Sequence, residues 1–246
     1  MSGRVTGAPA AHGRQLALDF RWDAGADLDL YVPGRNAAAV VALRAAARAA
    51  WDPIHLTGPV ATGKSHLLQA ACGIASAGGY TAVYVPLAER AEGPPEQLEG
   101  LERVGVVALD GLEAIAGRPA WEEAVFHCHN RLRDAGGQLL VASRAGPAEL
   151  GLALPDLASR LQAMLRLRLQ PPDDDTRAAV LQRHAARLGL ELPAATARYL
   201  LTRQSRDLHH LLAVLDRLDA ASLAAGRRLT VPFVREALGA GSVPGQ

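Results

Sequence analysis

Residues 58–65 read GPVATGKS, the G-x-x-x-x-G-K-[ST] spacing that a phosphate-binding loop requires. Its glycines let backbone N–H groups turn toward bound phosphates, the lysine amine reaches the β- and γ-phosphates, and the serine hydroxyl suits Mg²⁺. A short strand at 54–56 precedes the loop, and a helical pattern over 66–77 follows it, so the positive end of that helix faces the phosphates. The stretch therefore predicts a nucleotide site whose binding residues are Gly58, Gly63, Lys64, Ser65 and His66.

Composition predicts an ordinary globular protein. The 246 residues are 49% hydrophobic and 21% charged, and the formal net charge of +1 gives no strong attraction to nucleic acid. Cys72 and Cys128 are the only cysteines and form no C-x-x-C pair. Residues 1–11 lack the apolar core of a signal peptide, and no apolar run approaches the roughly 20 residues that span a bilayer. We therefore expect a cytoplasmic location, with neither secretion nor membrane insertion.

Strand and helix patterns alternate along the first two thirds of the chain. Asn36 is placed to cap a helix that runs to about residue 50. Strands are predicted near 54–57, 81–85, 104–109, 138–143 and 165–169, with helices between them. This alternation predicts an α/β fold, an αβα sandwich around a parallel sheet. The Pro171-Pro172 pair then ends the alternation, and carboxylates at 173–175 are placed to cap the first of several helices, with turns near 189–193, 204 and 226.

These patterns predict three segments. Residues 1–28 form an N-terminal arm with one apolar island, residues 29–172 form the nucleotide-binding αβα domain, and residues 173–246 form a small all-helical domain.

An apolar strand ends in the carboxylate of Asp110, the place where P-loop enzymes hold the Mg²⁺-bound water. Asp110 is therefore the predicted acid on the metal side, with Ser65 as the other indirect Mg²⁺ contact. In related ATPases a second acid follows directly and orients the attacking water, but Gly111 stands there and has no side chain for this task. Glu113 is an alternative water-orienting acid three residues further on. The sequence predicts slow self-catalysed hydrolysis.

Several phrases of the sequence resemble the AAA+ family and, within it, the replication initiator DnaA and the DnaA-related regulatory inactivators. They are GKSHLL at 63–68, LDGLEAIAG at 109–117, LPDLASRL at 154–161 and LTVPFV at 229–234. The likeness runs from about residue 15 to about residue 238. It implies a RecA-like αβα sandwich with a helical lid, an incomplete Walker B motif at Asp110, and an adenine pocket formed by residues 32–36. The helix-turn-helix with which DnaA reads DNA is not expected here, and an initiator without its DNA reader suggests a regulator.

The resemblance gives roles to two arginines and one serine. Arg160 matches the AAA+ arginine finger, which projects into the nucleotide site of a neighbouring subunit. A guanidinium suits this role because it stays charged and meets phosphate oxygens with a planar fork. Arg206 resembles the sensor 2 arginine, which reaches from the lid to the nucleotide of its own chain. Ser143 is a possible sensor 1 residue, although Arg144 stands where an Asp or Asn is usual.

The peptide QLALDF at 15–20 looks like the hexapeptide with which replication proteins dock on the sliding clamp of the DNA polymerase. Its predicted contacts are made by Gln15, Leu16, Leu18 and Phe20. Extended peptides bind in this way when alternate side chains enter apolar pockets. A short first strand packed on the core remains the alternative interpretation.

The resemblance implies a negative regulator of replication initiation. Tethered to a DNA-loaded clamp, such a protein would present Arg160 to the ATP held by DnaA and stimulate its hydrolysis. The expected ligands are ADP or ATP with Mg²⁺, and the expected partners are DnaA, the clamp and further copies of the chain, with DNA contacted mainly through the clamp. Two alternatives stay open, a self-sufficient ATPase acting as a helicase loader and a passive adaptor between the clamp and the initiator.

Overall fold

The computed structural model describes residues 26–47, 51–205 and 207–240. In these ranges the strands are β1 (Ile54–Thr57), β2 (Ala82–Pro86), β3 (Val106–Asp110), β4 (Gln138–Ser143) and β5 (Leu165–Arg168). The helices are α1 (Ala37–Ala46), α2 (Lys64–Ala77), α3 (Leu87–Arg90), α4 (Pro119–Ala135), α5 (Pro155–Ala163), α6 (Asp174–Arg187), α7 (Ala194–Arg203), α8 (Leu208–Ala225) and α9 (Val231–Ala240). Among these described helices, none is both long and apolar enough to cross a membrane.

The strands form one sheet in the order β2-β3-β4-β1-β5, and every neighbouring pair is parallel. The predicted α/β fold with a parallel sheet is therefore confirmed, and each predicted strand lies within two residues of an observed one. β1 and β4 are buried along their whole lengths, as is typical of central strands covered on both faces. The loop at 58–65 thus leaves the middle of the sheet, at the carboxyl end of β1.

Helices cover the two faces of the sheet and form two separate cores. Strand side chains alternate between faces, so Ile54 and Leu56 of β1 pack with α1 and α2 in one core. Val107 and Leu109 of β3 point the other way and pack with α4 and α5 in the second core. The phosphate loop and α2 therefore lie on the face of the sheet opposite α4 and α5.

The four helices from α6 to α9 form a third core among themselves, which includes Leu200, Leu215 and Val234. Two of these helices begin with the expected kind of carboxylate cap. Asp173 accepts a hydrogen bond from the Thr176 N–H at 2.8 Å, and Asp207 does the same for His210 at 2.9 Å. The predicted turns near 189–193, 204 and 226 coincide with the breaks between the helices.

The expected cap of α1 is wrong. Asn36 makes no side-chain bond to that helix. Instead its Oδ1 accepts from the Gln170 N–H at 2.8 Å, and its Nδ2 donates to the Gln170 carbonyl and to the Tyr31 hydroxyl, both at 3.0 Å. The side chain pairs with backbone groups 134 residues away because that contact satisfies three polar groups at once. Helix α1 ends at Ala46, and residues 48–50 lie outside the described ranges.

Candidate functional site

The phosphate loop has a backbone that favours glycine. Gly58, Ala61 and Gly63 all have positive φ, at 152°, 62° and 85°. A Cβ on Gly58 would lie 2.7 Å from the Leu169 carbonyl oxygen, which closes the loop against the end of β5. Helix α2 begins directly after Gly63, so its unpaired N–H groups face the loop. The geometry is that of an anion-binding cradle.

Lys64 is the only lysine in the chain, and its ammonium lies inside the loop. Its Nζ donates to the carbonyl oxygens of Gly58 and Pro59, each at 2.7 Å. Partial burial lowers the pKa of Lys64, and the nearby carboxylates of Glu113 and Asp110 oppose that shift. A cation held among carbonyl oxygens and carboxylates is placed to meet phosphate oxygens.

Asp110 and Ser65 converge on the hydroxyl of Tyr84. Tyr84 donates to Asp110 Oδ2 at 2.7 Å, and the Ser65 side chain also hydrogen-bonds this hydroxyl. Burial and the Asp110 charge raise the pKa of Tyr84, so the phenol stays a donor. One carboxylate and one hydroxyl fit Mg²⁺, which takes few protein ligands and completes its shell with water and phosphate oxygens. Bound there, the ion would neutralise charge on the β- and γ-phosphates.

The position after Asp110 is occupied by a left-handed glycine. Gly111 has φ 77°, and a Cβ built on it meets no atom within 4 Å, so space for a side chain exists where none is present. Glu113, the alternative water-orienting acid, is held by Arg144. One carboxylate oxygen accepts a hydrogen bond from the Arg144 backbone N–H at 3.0 Å, and the other forms an ion pair with its Nε at 3.0 Å. Both oxygens of Glu113 are thus engaged within the chain.

Ser143 is fully buried at the end of β4. Its Oγ donates to the Ala145 carbonyl at 2.6 Å and lies 2.7 Å from His55 Nε2. Because the serine proton is used on Ala145, His55 must donate through Nε2, which leaves Nδ1 without a hydrogen-bond partner in the part of the chain described. Burial, aided by the Arg166 charge, lowers the pKa of His55 to about 4. Both hydrogen bonds of Ser143 are thus internal to the fold, and its sensor role stays a prediction.

A cavity of about 340 Å³ opens beside the loop. Its walls are residues 30–36, residues 61–63, residues 171–173 and the facing sides of α6 and α8. Residues 32–36, expected near the base, therefore form one wall. His66 also lines the cavity, with its Nε2 2.9 Å from the Asp27 carbonyl.

Two residues that the sequence reasoning missed organise this cavity. Tyr31 donates to the Thr62 carbonyl of the loop at 3.1 Å, and its ring lies against Gly63, where a Cβ would be 2.7 Å from Cε2. Arg183 of α6 donates to the Asp29 and Tyr31 carbonyls at 2.7 and 3.1 Å. The segment around Tyr31 thereby joins the phosphate loop to α6. Neither residue belongs to a recognisable motif, so only the three-dimensional contacts identify them.

Arg160 lies away from this cavity, on α5, across the sheet from the phosphate loop. Its guanidinium carbon is 5.9 Å from the centre of the Phe126 ring, and the side chain is partly exposed. Within the described ranges it makes no hydrogen bond or ion pair. Its five N–H donors are therefore available to an incoming anion.

The helical segment gives the most specific comparison with known proteins. Residues 174–238 match the family model described as "Hda, lid domain". Over 89% of this chain and 97% of the other, the fold is similar to domain III of the replication initiation protein DnaA from Thermotoga maritima, at 23% identity and a TM-score of 0.72.

Residues 174–238 thus match an Hda lid, and the chain as a whole has the fold of DnaA domain III.

Two further solved structures are similar to this chain. AMPPCP-bound DnaA from Aquifex aeolicus is 25% identical, over 78% of this chain and 64% of the other, with a TM-score of 0.66. The Holliday junction branch migration motor RuvB from Thermotoga maritima is 17% identical, over 87% and 72%, with a TM-score of 0.68. The DnaA likeness and the Hda lid together confirm the expected relationship to DnaA-related AAA+ proteins.

Some predicted AAA+ site residues lie outside the described ranges. They are the clamp-binding residues Gln15, Leu16, Leu18 and Phe20, and the sensor 2 arginine Arg206. Their roles stay predictions. Of the remainder, the structure brings Gly58, Gly63, Lys64, Ser65, His66 and Asp110 to one edge of the sheet and separates Arg160 from them.

Proposed function

We propose that this chain is a negative regulator of replication initiation that makes DnaA hydrolyse its bound ATP. The observation that carries the proposal is Arg160, a partly exposed guanidinium with no polar partner among the described residues, placed across the sheet from the chain's own phosphate loop. A group in that position serves a nucleotide held by another subunit. The Hda lid at 174–238 and the DnaA-type fold support DnaA as that subunit.

The nucleotide of this chain would be ADP or ATP, with Mg²⁺, held between the αβα domain at 29–172 and the lid domain at 173–246. Support comes from the cradle around Lys64 and from the pairing of Ser65 and Asp110 through Tyr84. Hydrolysis by the chain itself would be slow, because Gly111 offers no carboxylate and both oxygens of Glu113 are bound by Arg144. The bound nucleotide would then act as a structural ligand rather than as a fuel.

The clamp would hold this chain on the DNA where DnaA is to be inactivated. A weak contact between this chain and DnaA becomes effective when both are tethered to the same DNA, because tethering raises the effective concentration without a new interface. We assign this contact to residues 15–20, with the reaction taking place in the cytoplasm on DNA that carries loaded clamps.

The test follows DnaA-bound ATP converting to ADP in the presence of clamp loaded on DNA. The unmutated protein is compared with Arg160→Ala, Gln15→Ala and, as a matched arginine control on the neighbouring helix, Arg133→Ala, whose guanidinium pairs with Asp134. We expect stimulation by the unmutated protein and by the control, and none by the first two variants.

Other outcomes select the alternatives. Stimulation that survives Arg160→Ala but not Gln15→Ala indicates a passive adaptor. No stimulation by the unmutated protein, together with steady ATP turnover of its own that Lys64→Ala removes, indicates a helicase loader.

A further inference from the structure

Glu122 is a fully buried carboxylate on the first turn of α4, and its partners are backbone N–H groups. Oε1 accepts from Gly117 at 2.6 Å and from Ala153 at 3.1 Å, while Oε2 accepts from Leu154 at 2.7 Å. Three donors on one carboxylate account for the burial of a group that is otherwise costly to remove from water. A carboxylate with these contacts fixes the position of backbone rather than of another side chain.

The backbone that Glu122 holds is the beginning of α5. Leu154 is the residue that precedes the first turn of this helix, and Arg160 follows six residues later. Helix α5 has only nine residues, and the cap position makes no side-chain hydrogen bond of its own. The position of such a helix depends on the residues that lead into it. Glu122 binds the N–H groups of the two residues directly before α5, Ala153 and Leu154.

Phe126 lies four residues after Glu122 and therefore on the same side of α4. Its ring centre is 5.9 Å from the guanidinium carbon of Arg160, within the range of a cation–π contact. The ring is half-buried against the core that contains α5, so its own position is fixed by packing. Two consecutive turns of α4 therefore contact α5: Glu122 binds the residues before its first turn, and Phe126 lies beside the guanidinium of Arg160.

We propose that Glu122 and Phe126 are positioning residues for Arg160. Glu122 sets where α5 begins, Phe126 sets where the guanidinium points, and together they orient the finger before DnaA arrives. The inference rests on the proposed function, since it concerns how this chain presents Arg160 to a nucleotide held in trans. The gain is preorganisation, because a guanidinium already in place loses little freedom when it meets phosphate.

The following variants distinguish an effect on the orientation of Arg160 from an effect on the folding of the chain. Glu122→Gln keeps the size of the side chain, but its amide nitrogen cannot accept a hydrogen bond, so at least one of the three N–H groups loses its partner. Glu123→Gln is the matched control, because that neighbouring glutamate is exposed. Phe126→Leu keeps an apolar side chain without an aromatic face, and Phe126→Tyr retains the face.

The measurement is stimulated hydrolysis of DnaA-bound ATP over a range of concentrations of this protein, with loaded clamp. For Glu122→Gln we expect the rate at saturation to fall about tenfold or more, since a displacement of about 1 Å can cost on the order of 10²-fold. The half-saturating concentration and the chain's own affinity for ADP stay unchanged. Phe126→Leu lowers the same rate by about threefold, and Phe126→Tyr restores it. Amide exchange at Leu154 accelerates in Glu122→Gln, while exchange at Val107 and Leu109 does not.

Two results would overturn the inference. Full stimulation by Glu122→Gln and Phe126→Leu, with Arg160→Ala inactive, rejects positioning and leaves the proposed function standing. Equal losses of stimulation and of ADP affinity assign these residues to the whole fold. If Glu122→Gln fails to fold, Phe126→Leu and its tyrosine counterpart decide alone. No stimulation by the unmutated protein rejects the proposed function instead, a separate outcome, because amide exchange at Leu154 still reports whether Glu122 holds α5.

Discussion

The charged groups of the phosphate loop and the guanidinium of Arg160, on the opposite face of the sheet, differ in their partners. Around the phosphate loop each charge is engaged within the chain: Lys64 by two carbonyls, Asp110 by Tyr84 and Glu113 by Arg144. On the opposite face, Arg160 has only an aromatic ring beneath it among the described residues. One face is arranged to hold a ligand and the other to present a cation, although both belong to one compact fold.

This difference indicates a division of tasks. A self-sufficient P-loop enzyme gathers its cation, metal-side acid and water-orienting acid around one nucleotide. In this chain the water-orienting acid is absent at Gly111 and engaged at Glu113, while Arg160, across the sheet, has no polar partner among the described residues. The following predictions test whether the two faces are as independent as their contacts indicate.

The largest expected effect is on the nucleotide face. Lys64→Ala removes the cation of the loop, and we expect affinity for ADP to fall by at least about 10²-fold, since charge-assisted hydrogen bonds to phosphate are lost. Calorimetric titration measures the change. Arg160→Ala, on the opposite face of the sheet, is the control and should leave the affinity for ADP unaltered. A loss of ADP affinity in Arg160→Ala would show that the two faces are coupled.

The next effect concerns acid stability and lies on the α4–α5 face. The pKa of His55 is near 4 in the folded protein and about 6.5 in an unfolded chain. Between these values the unfolded chain binds the extra proton, so the free energy of unfolding falls as the pH drops from about 6.5 to 4, by roughly 3 kcal/mol in all. Below pH 4 this contribution no longer changes.

Urea denaturation across that pH range measures the slope. We expect His55→Gln to reduce the slope of the free energy of unfolding against pH. The control His127→Gln, at an exposed position of α4, should leave that slope unchanged. An equal slope in the unmutated protein and in His55→Gln would contradict the buried neutral imidazole.

Two glycines on the nucleotide face should differ in their tolerance of a methyl group. Gly63→Ala meets both a left-handed backbone and the Tyr31 ring, whereas Gly111→Ala meets the left-handed backbone alone. We expect losses in the free energy of unfolding of about 2–3 kcal/mol for Gly63→Ala and about 1–2 kcal/mol for Gly111→Ala. Thermal and urea unfolding measure both, and Tyr31→Ala should reduce the difference. Equal losses would mean that the ring moves aside freely.

The smallest effect is that of the Glu113–Arg144 pair. The Arg144 side chain is 66% exposed, so Arg144→Ala should change the free energy of unfolding by less than about 1 kcal/mol. Its charge helps to lower the pKa of Lys64, and its removal raises that pKa and reduces the neutral amine at a given pH. Acylation of Lys64, followed by mass spectrometry, should therefore slow, with the α-amino group as internal reference. Faster acylation would place Arg144 away from the loop.

Local sequence patterns were sufficient to predict the strands of the sheet and the position of the phosphate loop. β1 lies between Pro53 and Gly58, and β3 is an apolar run that ends at Asp110, so their positions depend on neighbours in the sequence. The turn chemistry of the loop is equally local, since Gly58 and Gly63 stand where positive φ is needed. These features are predictable because each is decided within a few residues.

Contacts between distant segments could not be predicted in the same way. Asn36 has the character of a helix cap, yet it pairs with Gln170. Glu122 and Glu123 have the same chemistry, but the first is buried and the second is exposed. The available signal was helical spacing, because Glu122 lies three residues before the buried Val125 and on the same inward stripe. Such spacing indicates which glutamate turns inward but not which N–H groups it meets.

Arg183 joins α6 to the segment beside the phosphate loop through backbone carbonyls rather than through carboxylates. A carbonyl is supplied by every residue type, so position 29 is free to vary in sequence without losing its acceptor. The Asp29 carboxylate faces a different partner, Arg44, at an exposed site. A saturation library selected for ADP binding should therefore accept many residues at 29 and retain at 183 a long cationic side chain, because one nitrogen, Nη1 of Arg183, donates to both carbonyls.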